Sequence, residues 1–241
     1  MKVMLLAAGK GLRLGPATLS CPKPMLEIAG RPILEHNIRL CAKHGLRDLI
    51  INLHHCPDVI TERFGDGRRF GVRIAYSREA EPLGTAGAVK KLAAEFTDTF
   101  LTLYADNLTT CDLSRLIAFH KAKGGAATIA LFHREDASAS GIAELDSHDR
   151  VLRFLEKPEP EEVFSHWVNA GILVLEPAVL PFIPAGRPCD FGRETLPALV
   201  TAGQPVYGYR MAEGLWWVDS PADLKRTRRA AQSGRIALPD P

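Results

Sequence analysis

"VMLLAAGKGLRLGPATLSCPKPM", residues 3–25, begins as an apolar strand and turns abruptly into a glycine-rich, basic loop broken by prolines. Five apolar residues, Val3 to Ala7, lead to Gly9 and Gly11, and the loop closes on Pro22-Lys23-Pro24. Short runs that are apolar throughout suit strands buried on both faces of a parallel sheet. Four more follow: "DLIINL" (48–53), "VRIAYS" (72–77), "FLTLYA" (100–105) and "ATIALF" (127–132). Helical patterns lie between them. Pro32 stands where a first-turn proline is tolerated, Leu34, Ile38 and Cys41 share one face, and Gly45 can end the helix. Thr85 is placed to cap "AGAVKKLAAEF" (86–96), and "LSRLIAFHKAKGG" (113–125) stops at paired glycines.

Strand–helix alternation of this kind predicts an α/β protein with a Rossmann-like, doubly wound, mainly parallel sheet. The second half changes rhythm. "GIAELDSHDRVLRFLEKP" (141–158) reads as two strands around a polar turn, and "WVNAGILVLEP" (167–177) is another apolar run. "PVYGYRMAEGLWWVD" (205–219) suggests a hairpin before a final helix at 221–232, and the tail "GRIALPDP" (234–241) is expected to fray. The expected architecture is a single domain, 1–241, with additional mixed strands over the carboxyl edge of the sheet.

Bulk properties exclude several classes. At 241 residues and 46% hydrophobic, the chain can bury a full α/β core. A net charge of +2 without a long charge run argues against a nucleic-acid groove or a polybasic membrane anchor. The five cysteines are scattered and form no Cys-x-x-Cys pair, so a reducing compartment fits better than a disulfide framework or a zinc site. The apolar start is too short for a signal peptide, and no stretch approaches membrane-spanning length. These features lead to the expectation of a soluble, cytoplasmic protein.

Three phosphate-binding patterns compete for the opening loop. A Walker A loop needs Ser or Thr directly after Gly-Lys, and Gly11 stands there. A dinucleotide fingerprint needs a third glycine where Leu14 stands. What remains is a strand running into small residues, Ala7, Ala8, Gly9 and Gly11, whose backbone N–H groups favour anions. Arg13 and Lys23 add fixed positive charge suited to polyphosphate oxygens.

The stretch resembles the signature of the sugar-1-phosphate nucleotidylyltransferases, roughly G-x-G-T-R-L-x-P-L-T-x-x-x-P-K-P. Further blocks match that family in order: "EAEPLGTAGAV" (79–89), "ADN" (105–107), "FLEKP" (154–158), "VNAG" (168–171) and "WWVDSPADL" (216–224). The resemblance covers most of the chain from 3 to 224. It implies a nucleotide-diphospho-sugar transferase-like fold, with about 1–125 as the nucleotide-binding part and about 126–232 as the sugar-phosphate-binding part. It also implies the reaction. The phosphate of a sugar 1-phosphate attacks the α-phosphorus of a nucleoside triphosphate, giving a nucleotide sugar and pyrophosphate. Such a nucleophile is already an anion, so catalysis reduces to bringing anions together and spreading their charge.

By this resemblance Arg13 and Lys23 are the catalytic basic pair, expected in an exposed loop. Asp106 and Asp219, each following an apolar run, would hold Mg²⁺. Ala7, Ala8, Gly9 and Gly11 would face the nucleotide's phosphates, and Glu79, Pro82, Leu83, Gly84 and Thr85 would wall its base. Lys157 looks like the lysine that holds the sugar's phosphate, with Asn107, Gly141, Glu156, Asn169 and Gly171 around the sugar. The implied partners are a nucleoside triphosphate and a sugar 1-phosphate, with no nucleic acid and no membrane; a homodimer is left open.

Uridylyl- and thymidylyltransferases commonly carry Gln where Glu79 aligns. A carboxylate there can accept hydrogen bonds from guanine's N–H and NH₂ donors. "EPLGTAGAV" closely resembles mannose-1-phosphate and heptose guanylyltransferases, which favours GTP with a mannose- or manno-heptose-type 1-phosphate. Muramate 1-phosphate uridylyltransferases share a stretch similar to "FGDGRRFGVRI" (64–74) and keep a Glu, so UTP with N-acetylmuramate 1-phosphate is the alternative. A non-catalytic nucleotide-sugar sensor would be expected to lose one of the charged residues, and a glycosyltransferase would normally show Asp-x-Asp.

Three positions depart from the signature: Leu12 for Thr, Ala17 for Leu, and Ser220-Pro221 in place of a longer Ile-Gly-Thr-Pro. His54-His55 reads as a loop pair rather than metal ligands. Of Trp216 and Trp217, one is expected in the core and the other beside the sugar. "KRTRR" (225–229) reads as a solvated helix face.

Overall fold

Every apolar run of the first half folds as a strand. The structure, a computed structural model, describes residues 1–9, 11–236 and 238, without the side chain of Leu12. In chain order the strands are β1 (Lys2–Leu6), β2 (Glu27–Ile28), β3 (Arg31–Pro32), β4 (Asp48–Leu53), β5 (Arg73–Arg78), β6 (Phe100–Tyr104) and β7 (Asn107–Thr109). They continue with β8 (Ala127–His133), β9 (Gly141–Leu145), β10 (Val151–Glu156), β11 (Trp167–Leu175), β12 (Val206–Arg210) and β13 (Leu215–Trp217). The helices are α1 (Ile33–Lys43), α2 (Pro57–Phe64), α3 (Gly84–Lys91), α4 (Leu113–Lys123), α5 (Leu196–Thr201) and α6 (Pro221–Gln232).

The chain forms two compact units, each assembled from separated stretches. The first takes residues 1–82, 103–112 and those from Glu213 onward. Here β1 pairs with β4, and β4 with β5, both in parallel, with Leu5 opposite Ile51 and Ile51 opposite Tyr76. This is the mainly parallel sheet of a mixed α/β fold. Val3, Met4, Leu5, Leu49 and Ile51 are fully buried, each side chain contributing about 1.5–3 kcal/mol of transfer free energy. Pro32 precedes α1, where its fixed φ suits helix entry, and Gly45 past the helix end adopts a φ of +73°. Strand β13 pairs antiparallel with β7, placing Trp217 opposite Asn107.

Leu14, Leu26, Ile28, Ile33, Leu108, Val218 and Leu224 make one apolar cluster, with Trp216 packed against it. That cluster joins the glycine-rich loop to α6, and Trp216 packs on it while remaining, like Trp217, only part-buried. The start of the tail does not fray. Ile236 is buried in the same cluster and Leu238 packs on it, because apolar side chains there complete the face that α6 leaves open. The end of the tail, residues 237 and 239–241, lies outside the described residues.

In the second unit, residues 83–102 and 113–212, β8 pairs with β12 in parallel and with β11 antiparallel. Strands β9 and β10 form the expected antiparallel pair, and β9 also meets β11. The hairpin expected over 205–219 does not form. Strand β12 runs along β8 from Val206 opposite Ala127 to Arg210 opposite Leu131, and the Met211 N–H extends the pairing to the Leu131 carbonyl. Strand β13 pairs with β7 instead, so each run finds a partner remote in sequence.

Thr85 is not a helix cap either. It lies inside α3, which begins at Gly84 with a φ of +73°. The orphan N–H groups of Ala86 and Gly87 donate to the Cys189 carbonyl, 3.0 Å each, and so leave no cap for a side chain to make. The Thr85 hydroxyl serves elsewhere: it donates to Asp190 Oδ2 and accepts from the Phe191 N–H, both at 2.8 Å.

Candidate active site

The loop after β1 is largely 3₁₀-helical, over Leu12–Thr18 and Lys23–Met25. Gly11 makes its closure possible. Its φ is +61°, and a Cβ there would come within 3.0 Å of the Lys23 Cβ and 3.2 Å of the Thr18 Cγ2. The Thr18 hydroxyl donates to the Gly11 carbonyl at 2.9 Å. His55 Nε2 lies 2.8 Å from the Thr18 carbonyl, and His54 Nδ1 lies 3.0 Å from the Glu79 carbonyl. The histidine pair thus braces the loop and its neighbour. Among the described residues, none beyond its chain neighbours comes within 4 Å of a Cβ built on Gly9, which leaves this backbone open to close approach.

Lys23 and Arg13 differ in a way that their shared loop does not announce. Arg13 is exposed, with 69% of its side chain accessible, but Lys23 is only 5% exposed rather than lying in open loop. The Lys23 ammonium donates to Asp106 Oδ2 at 2.7 Å and to Asp219 Oδ1 at 2.6 Å. Arg13 lies 3.2 Å from the other oxygen of Asp219. Burial pulls the Lys23 pKa down, but the charges and hydrogen bonds of Asp106 and Asp219 outweigh it and leave the pKa raised. Among the described residues, two cations, Lys23 and Arg13, meet the two carboxylates here.

Both aspartates are positioned by neighbours. Fully buried Asn37 of α1 donates to the carbonyls of Ala105, at 3.3 Å, and Asn107, at 3.0 Å, on either side of Asp106. After Asp219 the chain passes directly into α6. Ser220 caps that helix by accepting the Asp223 N–H at 3.1 Å, and Pro221 fills the first turn. Among the described residues no three His, Cys, Asp or Glu side chains cluster as a metal site. Asp106 and Asp219 are nonetheless two hard carboxylates of the kind that hold Mg²⁺, and the cation between them here is the Lys23 ammonium.

Buried Asn52 of β4 joins two further candidates. Its Oδ1 accepts the Ala7 N–H at 2.8 Å, and its Nδ2 donates to Glu79 Oε1 at 2.9 Å. Ala7 therefore spends its N–H within the fold and has none to offer a phosphate. Glu79 itself is only 6% exposed, and Pro82 is half-buried at the end of the same stretch. Neither Asn37 nor Asn52 emerges from the sequence reading. The available signal was an asparagine interrupting an otherwise apolar helix face or strand.

Leu83, Gly84, Thr85, Gly141, Glu156, Lys157, Asn169 and Gly171 belong to the second unit, whereas Asn107 belongs to the first. The Leu83 carbonyl accepts the Cys189 N–H at 2.9 Å. The Glu156 carboxylate, at the end of β10, lies against two glycines. A Cβ at Gly141 would stand 2.4 Å from Glu156 Oε2, and one at Gly192 would stand 2.3 Å away. Burial, then the charge of Asp190, pushes the Glu156 pKa up, with Lys157 and Arg193 opposing. Lys157 is exposed and holds a φ of +51°, its N–H donating to the Ser140 carbonyl. Strain of this kind in a non-glycine residue is typical of functional loops. Asn169 Oδ1 accepts the Gly171 N–H at 2.9 Å across an irregularity in β11. Asp190 and Gly192 had no sequence signal of their own.

Residues 2–220 match the family described as nucleotidyl transferase. The chain belongs to that family. This nucleotidyl transferase is 39% identical over 233 residues to a UTP–glucose-1-phosphate uridylyltransferase of Synechocystis, covering 91% of the chain and 60% of the relative. It is 37% identical over 240 residues to a mannose-1-phosphate guanylyltransferase of Mycobacterium tuberculosis, covering 99% and 66%. The chain thus spans roughly three-fifths to two-thirds of the length of these curated relatives. Its fold is like that of a UDP-glucose pyrophosphorylase solved with UDP-glucose: TM-score 0.86 at 18% identity, covering 97% and 99% of the two chains. The relatives differ in both base and sugar.

Proposed function

We propose that this nucleotidyl transferase joins a nucleoside triphosphate to a sugar 1-phosphate, with GTP and a mannose- or manno-heptose-type 1-phosphate as the favoured pair. The observation that carries the reading is Lys23, buried between Asp106 and Asp219 at the foot of a glycine-rich loop, with Arg13 beside it. This arrangement concentrates cations and hard oxygen ligands, and none of these four side chains is a nucleophile of the Ser, Cys or His kind. It suits a reaction whose nucleophile arrives already ionised. A sugar-phosphate oxygen forms a bond to the α-phosphorus, the bond from that phosphorus to the bridging oxygen breaks, and pyrophosphate leaves with the electron pair. No proton has to move.

In this scheme Arg13 and Lys23 lie against the phosphates, and Gly9 and Gly11 let the triphosphate approach the backbone. Asp106 and Asp219 would hold Mg²⁺, which when bound neutralises phosphate charge. Glu79 accepts from the N1–H and N2 amino group of guanine. Lys157 pairs with the sugar's phosphate, and Glu156, held against Gly141, takes sugar hydroxyls together with Asn169 and Gly171. Identity to a uridylyltransferase supports a second reading, in which UTP replaces GTP. The test is pyrophosphate release across a matrix of nucleoside triphosphates and sugar 1-phosphates with Mg²⁺. Fastest release from GTP and mannose 1-phosphate or a manno-heptose 1-phosphate is expected. A UTP optimum would overturn the guanylyl reading, and no release from any pair would overturn the transferase reading.

A further inference from the structure

We infer that Gly192 is a positioning residue for the sugar: the side chain it lacks is the space in which the Glu156 carboxylate stands. This rests on the proposal that Glu156 takes sugar hydroxyls, and it goes further by naming what keeps that carboxylate in place. Glu156 ends β10. Gly192 lies in a helical turn, Phe191–Thr195, which Asp190 caps by accepting the Gly192 and Arg193 N–H groups at 2.9 and 3.1 Å. A Cβ built on Gly192 would stand 2.3 Å from Glu156 Oε2 and 2.8 Å from its Cδ. One built on Gly141, at the start of β9, would meet the same oxygen at 2.4 Å. Two glycines remote in sequence thus flank one carboxylate oxygen, and a side chain on either would push it away.

Backbone needs do not account for a glycine at 192. It does not hold the positive φ that L side chains avoid, and inside a helical turn alanine is ordinarily the more stabilising residue. Nor is the place a comfortable one for Glu156. Burial and then the charge of Asp190 push its pKa up, so the carboxylate is kept where its charge is disfavoured. Groups held at such a cost cluster at functional sites. The two glycines also differ in what they reveal. A Cβ at Gly141 would strike the Phe154 ring at 2.5 Å as well, whereas the nearest atoms to one at Gly192 are the far end of the flexible Glu156 side chain. Gly192→Ala therefore displaces the Glu156 carboxylate and little else.

The test is a double-mutant cycle read in KM for the sugar 1-phosphate. Wild type, Gly192→Ala, Glu156→Ala and Gly192→Ala/Glu156→Ala are compared with mannose 1-phosphate and GTP, or with the pair that the substrate matrix ranks first. Nucleotide binding by equilibrium dialysis and the urea midpoint are measured alongside. Gly192→Ala should raise KM for the sugar 1-phosphate about ten-fold, the scale of a lost hydrogen bond to a charged group. Nucleotide binding should not move, and the urea midpoint should equal or exceed that of wild type. In the Glu156→Ala background no carboxylate remains to displace, so Gly192→Ala should add less than about two-fold. A wild-type KM in Gly192→Ala overturns the inference, as does a rise that persists undiminished in Glu156→Ala. A distorted turn would also disturb Thr85, whose hydroxyl accepts the Phe191 N–H at 2.8 Å, so nucleotide binding that falls as steeply as sugar-phosphate binding overturns it too. If Glu156→Ala itself leaves KM unchanged, Glu156 does not read the sugar, and the inference falls with that reading. Should Gly192→Ala not fold, Glu156→Asp draws the carboxylate back from Gly192 without adding bulk. It should raise KM as far as Glu156→Ala does, and a KM near wild type would show that the place beside Gly192 is not needed.

Discussion

Lys23 and Arg13 carry the same charge in the same loop and answer to different physics. Replacing either with Ala should lower kcat by about 10²–10³, the scale for losing one preorganised charge-stabilising group. Their stabilities should diverge. Arg13→Ala removes an exposed side chain, whereas Lys23→Ala removes the buried ammonium that Asp106 and Asp219 share. Those carboxylates are about one-third exposed and partly screened, so a loss of about 1–3 kcal/mol is expected for Lys23→Ala and little for Arg13→Ala. Equal urea midpoints for the two variants would sink this distinction. The Lys23 contribution also has a pH window. Its folded pKa is raised above the ordinary 10.5, so the stabilisation is fully present below 10.5 and is lost only as pH rises through the raised value. The gap between wild type and Lys23→Ala should therefore stay constant through neutral pH and close only in strong alkali. Both charges were legible in the sequence as basic residues of a strand-end loop. The burial of Lys23 was not, because it depends on aspartates 83 and 196 residues away.

Elements were legible where one period dominated. The runs at 3–7, 48–53 and 100–105 are apolar and only five or six residues long, a length that suits a buried strand rather than a helix. "PVYGYRMAEGLWWVD" misled because local alternation cannot say which strand a strand will pair with, and β8 and β7 compete successfully for its two halves. Thr85 misled for a related reason: a Thr before a helical run is a good cap signal, but the Cys189 carbonyl already satisfies the donors. The consequence lies at Asp190, whose side chain accepts the N–H groups of Gly192 and Arg193 and the Thr85 hydroxyl. Asp190→Ala should cost about 1–3 kcal/mol, combining a lost cap with a stranded hydroxyl. The loss in Thr85→Val/Asp190→Ala should be smaller than the sum of the two single losses, since they share one bond. Strict additivity in urea denaturation would show that the Thr85–Asp190 contact contributes nothing.

Across the whole molecule, the proposed chemistry divides between two units, each assembled from stretches far apart in the chain. No local pattern announces such interleaving, since it is decided by long-range pairing. The aspartates and Glu79 lie in one unit and Lys157 with Glu156 in the other, so substitutions should act on different substrates. In the first unit, Asp106→Asn and Asp219→Asn should each raise the Mg²⁺ concentration for half-maximal rate by about ten-fold or more. An enzyme that stays active in excess chelator would remove both residues from that role. In the second unit, Lys157→Ala removes an exposed ammonium, so folding should be little changed. If that ammonium pairs with the sugar's phosphate, its loss should raise KM for the sugar 1-phosphate about ten-fold, the scale of a partly screened charge-assisted hydrogen bond. GTP binding, measured by equilibrium dialysis without sugar phosphate, should not move. Glu79→Gln should do the reverse, weakening GTP and sparing the sugar phosphate. A Lys157→Ala enzyme that loses GTP affinity as steeply as sugar-phosphate affinity would mean that Lys157 serves the triphosphate, and the proposed division of labour would be wrong.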